Sequence, residues 1–372
     1  MAVPGSAAEA RFPCHNCGAN LTFAPGTEVI RCGHCGAENR IPDDAAPIEE
    51  MDFRGVVATL GRGEAVEEKR TVKCESCAAE FTFDPHVHAG ACPYCGGAIV
   101  GAVATHTLLK PRGLVPFQIA GEEARQRLKG WLGSLWFAPS GLKTHAREAG
   151  GLSGIYVPYW TFDAETQSTY FGERGTAHHV PRTVMARVQG RMVRQTRMVV
   201  EMRWRPVRGS VARFFDDVLV LASRTLPDHV VERLGTWRLD ALVPYREEYL
   251  SGFRSETYQV DPQDGFACAK DIMDRVIRAD VARDIGGDAQ RIHQVDTRFG
   301  NIRFKHILLP LWTAAYRYKG KAYRFVVNGQ TGEVQGERPY SAWKIAFAVL
   351  LGLIAAAVVA YLYAETQGAT PL

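Results

Sequence analysis

The chain has 372 residues, a formal net charge of +4 and 46% apolar residues. That leaves room for two or three domains with a sizeable core, and too little charge to mark a nucleic-acid protein by itself. Eight of the nine cysteines fall in Cys-x-x-Cys pairs, a usage that fits metal ligation better than a disulfide framework.

The opening MAVPGSAAEARFPC holds no apolar run of signal-peptide length, so no export signal is expected. Cys14/Cys17 and Cys32/Cys35 follow, with 14 residues between the pairs, and Cys74/Cys77 and Cys92/Cys95 repeat the arrangement. Aligned without a gap, residues 14–36 and 74–96 share nine identities. They are the four cysteines, Ala19/Ala79, Thr22/Thr82, Phe23/Phe83, Pro25/Pro85 and Gly36/Gly96. A module this short cannot fold around an apolar core, so a metal must supply its stability. Four thiolates suit a tetrahedral zinc ion, two ions in all, and such a closed set leaves no position for catalysis.

Gly18, Gly36 and Gly96 permit positive φ after the second cysteine of a pair, whereas Ala78 does not. Phe23 and Phe83 are expected to pack beneath the metals, and His15, His34, His86 and His88 to lie exposed in loops. The predicted modules are two zinc ribbons of β-hairpin type at 11–40 and 71–100. The linker at 41–70, with Asp43, Asp44, Glu49, Glu50 and Asp52, reads as solvated. A redox reading of Cys-x-x-Cys needs the motif to open a helix in a βαβ pattern, and pairs at both ends of a hairpin argue against it.

A body is expected over 105–340. From Gly121, GEEARQRLKGWLGSLW places Ala124, Leu128, Trp131, Leu132, Leu135 and Trp136 on one helical face. The strings VPF at 115–117, VPYW at 157–160, VPY at 243–245 and LPLW at 309–312 mark strand starts, where proline removes no ladder donor. Residues 266–285 read as a helix with Ala269, Ile272, Val276 and Ala279 on one side, and Cys268 as a small core residue. YRYKGKAYRFVVNGQTGEV alternates and turns at Lys319-Gly320 and Asn328-Gly329. The whole is predicted to be an α+β multidomain protein with mainly antiparallel sheet.

Residues 181–208 hold eight arginines against Glu201. Arg187, Arg191, Arg194, Arg197, Arg203 and Arg205 are the candidate contacts to an anionic surface. Exposed strand faces, anionic lipid headgroups and nucleic acid all fit such a stretch. Asp216-Asp217 is the one tempting carboxylate pair, but neighbours on a strand point to opposite faces. His178-His179 has no carboxylate near it in sequence. No catalytic constellation emerges, and a non-enzymatic role is expected.

Ile345 to Tyr363 is 19 residues without a charge, about 28 Å of helix against a hydrocarbon core of about 30 Å. Trp343, Tyr361 and Tyr363 flank it as interfacial aromatics do. Arg338 and Lys344 precede it, so the positive-inside rule predicts a single-pass anchor in the cell (inner) membrane. Residues 1–344 would then be cytoplasmic and 364–372 a short tail outside. A reducing compartment keeps thiolates available for metal.

With these residues in place, the chain resembles a bacterial family of membrane-anchored double-zinc-ribbon proteins. The likeness rests on both cysteine modules and on GIYVPYWTFDAE, FFDDVLVLAS, LVPYREEYLSGFRSETYQV and LLPLWTAAYRYKGKAYRFVVNGQTGEVQGERPYSAWK. Members carry labels such as TFIIB-type zinc ribbon protein, primosomal protein N-prime or superfamily II helicase. A helicase motor needs a phosphate-cradling Gly-x4-Gly-Lys-Ser/Thr loop, and none exists here. Duplication of the cysteine modules favours a membrane-anchored adaptor in which the ribbons are the recognition modules, since two weak sites held together gain effective concentration. The resemblance implies SPFH-type or phage-shock-like membrane-protection proteins as the partner. A membrane-tethered nucleic-acid binder is the alternative. Taken together, the cysteine modules carry no basic excess.

Overall fold

The computed structural model describes residues 12–368, apart from 28, 42–46, 60–65, 78, 83–89, 93, 96, 100–102, 138, 140–151, 189–190, 228–229, 231–232, 319–320 and 339. The fold is α+β with a mainly antiparallel sheet. Three strands form its centre: β1 (Ser153–Val188), β2 (Arg191–Leu221) and β3 (Ala289–Tyr318). The order is β2-β1-β3, continued by β4 (Lys321–Asn328) and β5 (Val334–Gly336). Trp160, Phe162 and Phe304 are fully buried at its middle.

Helix α1 (Phe53–Ala58) and helix α3 (Pro262–Ile285) pack on this sheet, α2 (Gly121–Ser134) packs near β4 and β5, and α4 (Ala342–Gly368) ends the described chain. Helix α3 starts because Pro262 pre-sets φ and the Asp261 carboxylate accepts from Gln263 N and Asp264 N. It buries Phe266, Ala269, Met273, Ile277, Val281 and Ile285. The expected stripe is therefore rotated: Val276 and Ala279 are exposed, and Met273 and Ile277 take the core face. Cys268 is exposed as well, correcting its core assignment. It lines a cavity of about 410 Å³ with Tyr159, Trp237, Asp271 and Arg275.

Pro158 and Pro310 lie inside long strands, yet each sits where a neighbouring strand's pairing begins. β1 meets β2 from Tyr159↔Leu221, and β3 meets β4 from Leu311↔Asn328. The missing N–H therefore falls at the edge of a ladder, as proline requires. The turn after β4 is held by the Asn328 side chain, which accepts from Gln330 N and Thr331 N. The Lys319-Gly320 turn lies outside the described residues.

The stretch expected as a solvated linker is partly built into the sheet. Met51–Asp52 pairs with β3, Met51 is buried, and Phe53 packs edge-on to Phe162 and Phe304. Glu50 reaches Lys305, which also meets Asp217 at 2.8 Å. Asp217 can do so because the strand bulges opposite Asp163 and Asp217 takes φ 51. Asp216 stays exposed, so the two do not share a face.

β3 leaves β1 at Ala289↔Gly175, while β1 and β2 stay paired to Val188↔Arg191. Beyond Gly175 they form a two-stranded arm of about 40 Å at the usual strand rise. Its register splits the arginines. Thr176↔Arg203 and Arg182↔Arg197 share one face, whereas Met185↔Arg194 and Arg187↔Met192 share the other. Arg194, Arg197, Arg203 and Arg205 are exposed, and the side chains of Arg187 and Arg191 lie outside those described. The stretch is thus two faces rather than one basic patch. His178 stands directly across from Glu201, a carboxylate that sequence distance had hidden.

Candidate metal centres

Each cysteine pair forms the same turn. The first cysteine's N–H donates to the carbonyl five residues on: Cys14 to Ala19, Cys32 to Ala37, Cys74 to Ala79 and Cys92 to Gly97, all at 2.8–2.9 Å. Gly18 N and Gly36 N return to the carbonyls of Cys14 and Cys32. Both glycines have φ above 70°, the conformation for which the sequence places glycine there. Gly96 and Ala78 lie outside the described residues.

These turns bring the sulfurs together in two tetrads, Cys14/Cys17/Cys32/Cys35 and Cys74/Cys77/Cys92/Cys95, with all ligand atoms of a tetrad within 4.8 Å. The Sγ pairs Cys14–Cys35, Cys17–Cys32, Cys74–Cys95 and Cys77–Cys92 each stand 3.6 Å apart. A disulfide needs about 2 Å. A tetrahedron with metal–sulfur bonds of about 2.3 Å has edges of about 3.8 Å. The tetrads therefore fit one tetrahedral metal ion each, and no disulfide joins their cysteines.

The electrostatics agree. In the first tetrad Cys14 is held down to about 6. Burial opposes this, and the N–H groups of Asn16 and Cys17, the Asn39 amide and Cys35 outweigh it. Cys17 rises to about 12 although the N–H of Ala19 favours its thiolate, because Cys35, burial, Cys32 and Cys14 all favour the thiol. In the second tetrad burial and neighbouring sulfurs push Cys95 up to about 11. Four sulfurs this close cannot all ionise unless a cation compensates them.

Around the first tetrad, Asn39 Nδ2 donates to Cys14 Sγ at 3.6 Å and Asn39 Oδ1 accepts from His15 N at 2.9 Å. His15 and His34 are exposed, as expected, and His86 and His88 lie outside the described residues. Phe23 is buried in one cluster with Cys14 and Cys32. Its ring also packs on Tyr249, 5.2 Å away, tying the module to the body. Phe83 lies outside the described residues.

Both tetrads dock on one nine-residue segment, 249–257. For the first, Phe23 N donates to Ser251 O at 3.0 Å, Ser251 Oγ donates to Leu21 O at 2.5 Å, and Thr22 presses on Gly252. Gly252 has φ +87, and a Cβ there would stand 2.3 Å from Thr22 Cγ2, so only glycine fits. For the second, Tyr94 from the Cys92-x-x-Cys95 turn donates to Glu256 Oε2 at 2.5 Å, and Thr257 N donates to Glu80 O at 3.1 Å. Ser223 and Thr225 donate to the other oxygen, Glu256 Oε1, at 2.6 and 2.5 Å. Glu256 is 2% exposed, and burial raises it to about 7 against the three hydroxyl donors. No sequence signal marked Glu256 as the seat of a metal module.

A second buried set joins Glu50, Asp163, Asp217 and Lys305. Asp163 Oδ1 accepts from Asp217 N at 2.7 Å. Burial and the neighbouring Glu50 raise Asp163 to about 7, while the hydrogen bond with Asp163, then Lys305, hold Glu50 low against its burial. This set latches the segment between the two modules to the sheet bulge.

Toward the C-terminus of the chain, Ala342–Tyr363 is an apolar stretch of 22 residues with mean hydropathy 2.7, none of it buried. It is long and apolar enough to span a membrane, and its complete exposure is unlike a soluble core helix.

No family model matches the chain, and no solved structure matches it. The chain is similar to the uncharacterized protein YdjG of Bacillus subtilis (strain 168), with 24% identity over 336 residues, 90% of this chain and 92% of that protein.

Proposed function

We propose that this chain is a non-enzymatic adaptor of the double-zinc-ribbon kind, anchored in the cell membrane by α4 with its bulk on the cytoplasmic side. Zinc is the ion of choice for both tetrads, because four thiolates in a tetrahedron suit it and close the site. With both tetrads seated on 249–257, the metals serve as staples that set the shape of the body.

The observation that carries the adaptor reading is the two-stranded arm. An isolated two-stranded ribbon is marginal in water. This one exposes Met192, Met198, Val200 and Met202, with relative exposures of 58, 61, 58 and 37%. These residues share the face of Pro181 and Ala177 in the register. An apolar row of that kind marks a contact surface, and methionines adapt to a partner's contour. The family resemblance points to SPFH-type or phage-shock-like proteins as the partner.

The arginines Arg182, Arg197 and Arg203 on the opposite face support the second reading, nucleic acid bound by a β-ribbon. Co-purification from native cells in detergent, with and without nuclease, separates the two. The adaptor reading expects a protein partner that survives nuclease and is lost in Met198→Ser/Val200→Ser/Met202→Ser. Retention of nucleic acid alone, lost in Arg182→Gln/Arg197→Gln/Arg203→Gln, would replace it.

A further inference from the structure

We infer that the turn after α2 is a second point of contact with the bilayer, an aromatic foot planted in the headgroup region beside the anchor. This rests on the membrane-spanning reading of α4.

Helical periodicity placed Trp136 on the buried stripe with Leu128, Leu132 and Leu135. The structure ends α2 at Ser134, keeps Leu135 buried, and turns the chain so that Trp136 is 78% and Phe137 41% exposed. Trp131 is half-buried and meets the Phe325 ring edge-on at 5.4 Å. The stripe thus splits where the helix stops, and Trp136 faces outward.

That turn is bonded to the start of α4. Ser341 N donates to Phe137 O at 2.8 Å, and Lys344 Nζ donates to Trp136 O at 3.2 Å. Ser341 in turn accepts from Ile345 N at 3.1 Å in the first turn of the helix. The turn after α2 and the first turn of α4 therefore form one joint, built from segments some two hundred residues apart in the chain. Tyr340 and Trp343 belong to the same joint, with relative exposures of 61% and 81%. The Arg338 guanidinium lies 5.3 Å over the Tyr340 ring.

The lipid interface explains this grouping. Four exposed aromatic side chains with two cations beside them suit the headgroup zone, where an apolar ring body and a polar tip are both solvated. Lys344 is the third residue of α4, about 4.5 Å along its axis, so its level fixes the level of whatever it bonds. If α4 spans the bilayer, its first turn stands at the headgroup layer and Trp136 stands there too. The foot gives the body two attachment points, and a body with two points cannot swivel freely about a single helix. The tilt of the arm relative to the membrane would be set by this joint.

Full-length protein in vesicles of phosphatidylcholine and phosphatidylglycerol tests this by photocrosslinking. p-Benzoylphenylalanine is placed singly at position 136, at 343 in the anchor's first turn, and at 214. Phe214 is an exposed aromatic on the sheet, 59% exposed. Lipid adducts at 136 and 343, and none at 214, are the expected result. Adducts at 343 without any at 136 overturn the foot while leaving the anchor intact. A crosslink from 136 to a second copy of the chain, or equal lipid labelling at all three positions, also overturns it. Loss of the adduct at 343 means α4 does not span, and the foot falls with it.

Discussion

The two cysteine tetrads are alike in sequence spacing, in turn geometry and in sulfur separation, and they differ in surroundings. In the first, Cys17 and Cys35 are exposed; in the second, Cys74, Cys92 and Cys95 are buried and Cys77 is half-buried. The first meets the body through Phe23 on Tyr249 and through hydrogen bonds and packing at Ser251 and Gly252. The second drives Tyr94 into it, onto a carboxylate that three hydroxyl groups hold. A short repeat sets how four sulfurs converge on an ion. What the ion then stabilises depends on what the repeat is packed against. Both tetrads lend buried cysteines to the core of the body, but the first keeps two of its four cysteines exposed and the second none.

The sharpest way to break this comparison is to remove one ligand from each tetrad. Cys92→Ser should unfold much of the body, because structural zinc contributes on the order of 10 kcal/mol in isolated modules and this one shares a core with Val115, Ile155 and Leu309. Cys17→Ser should leave a cooperative thermal transition at lower temperature. Equal transitions for the two variants would show that the environments do not matter. The same contrast predicts chelator kinetics. One metal equivalent should leave the native protein quickly, and the second only as fast as the protein unfolds. Release in a single phase would count against it.

Tyr94 sharpens the comparison at one side chain. Tyr94→Ala should cost about 3–5 kcal/mol, as loss of a large buried aromatic does. Tyr94→Phe should cost about 1–3 kcal/mol, since it removes one donor to a buried carboxyl. Denaturant midpoints measure both, and a Tyr94→Phe protein as stable as the parent would remove the Glu256 contact from the account.

Glu256 gives a pH signature with a definite sign. Its folded value of about 7 lies above the ordinary glutamate value of about 4.3. The folded state therefore holds an extra proton between these limits, and stability should fall as pH rises through that window, by about 4 kcal/mol at most. Asp163, also raised to about 7, acts in the same direction. Glu256→Gln should flatten part of the slope and Asp163→Asn another part. An unchanged slope in both variants would refute the assignment.

The smallest effect concerns the first tetrad alone. Gly252→Ala combines a strained φ with the Thr22 contact and should cost about 1–3 kcal/mol. It should speed metal loss from the exposed site and leave the buried site's release unchanged. Accelerated loss from both sites would show that segment 249–257 couples them.

Much of the site was legible beforehand. The paired spacing named all eight cysteines that gather in the two tetrads, because a Cys-x-x-Cys turn is a local structure that needs no distant partner. The helix from 121, the helix over 266–285 and the strand-rich body followed from periodicity and from proline and glycine placement, although the second helix starts four residues earlier, at Pro262. The errors share one cause. Trp136, Val276 and Ala279 take their expected faces from period alone, and a period does not say which side meets the sheet or where a helix stops. The stretch 41–70 looked solvated because its carboxylates carry no record that Lys305, some 250 residues later, awaits one of them.

The amino-acid sequence by itself determined the eight paired cysteines, the apolar terminal helix and the antiparallel character of the body, since each depends on spacing or composition within a few residues. Only the tertiary structure decided that both tetrads rest on 249–257 and that Glu256 and Asp163 hold protons near neutrality. It alone decided that the arginines divide between two faces of a free arm, and that Trp136 stands beside the first turn of α4. These are properties of long-range pairing, in which register, burial and local dielectric are set by residues far away in the chain.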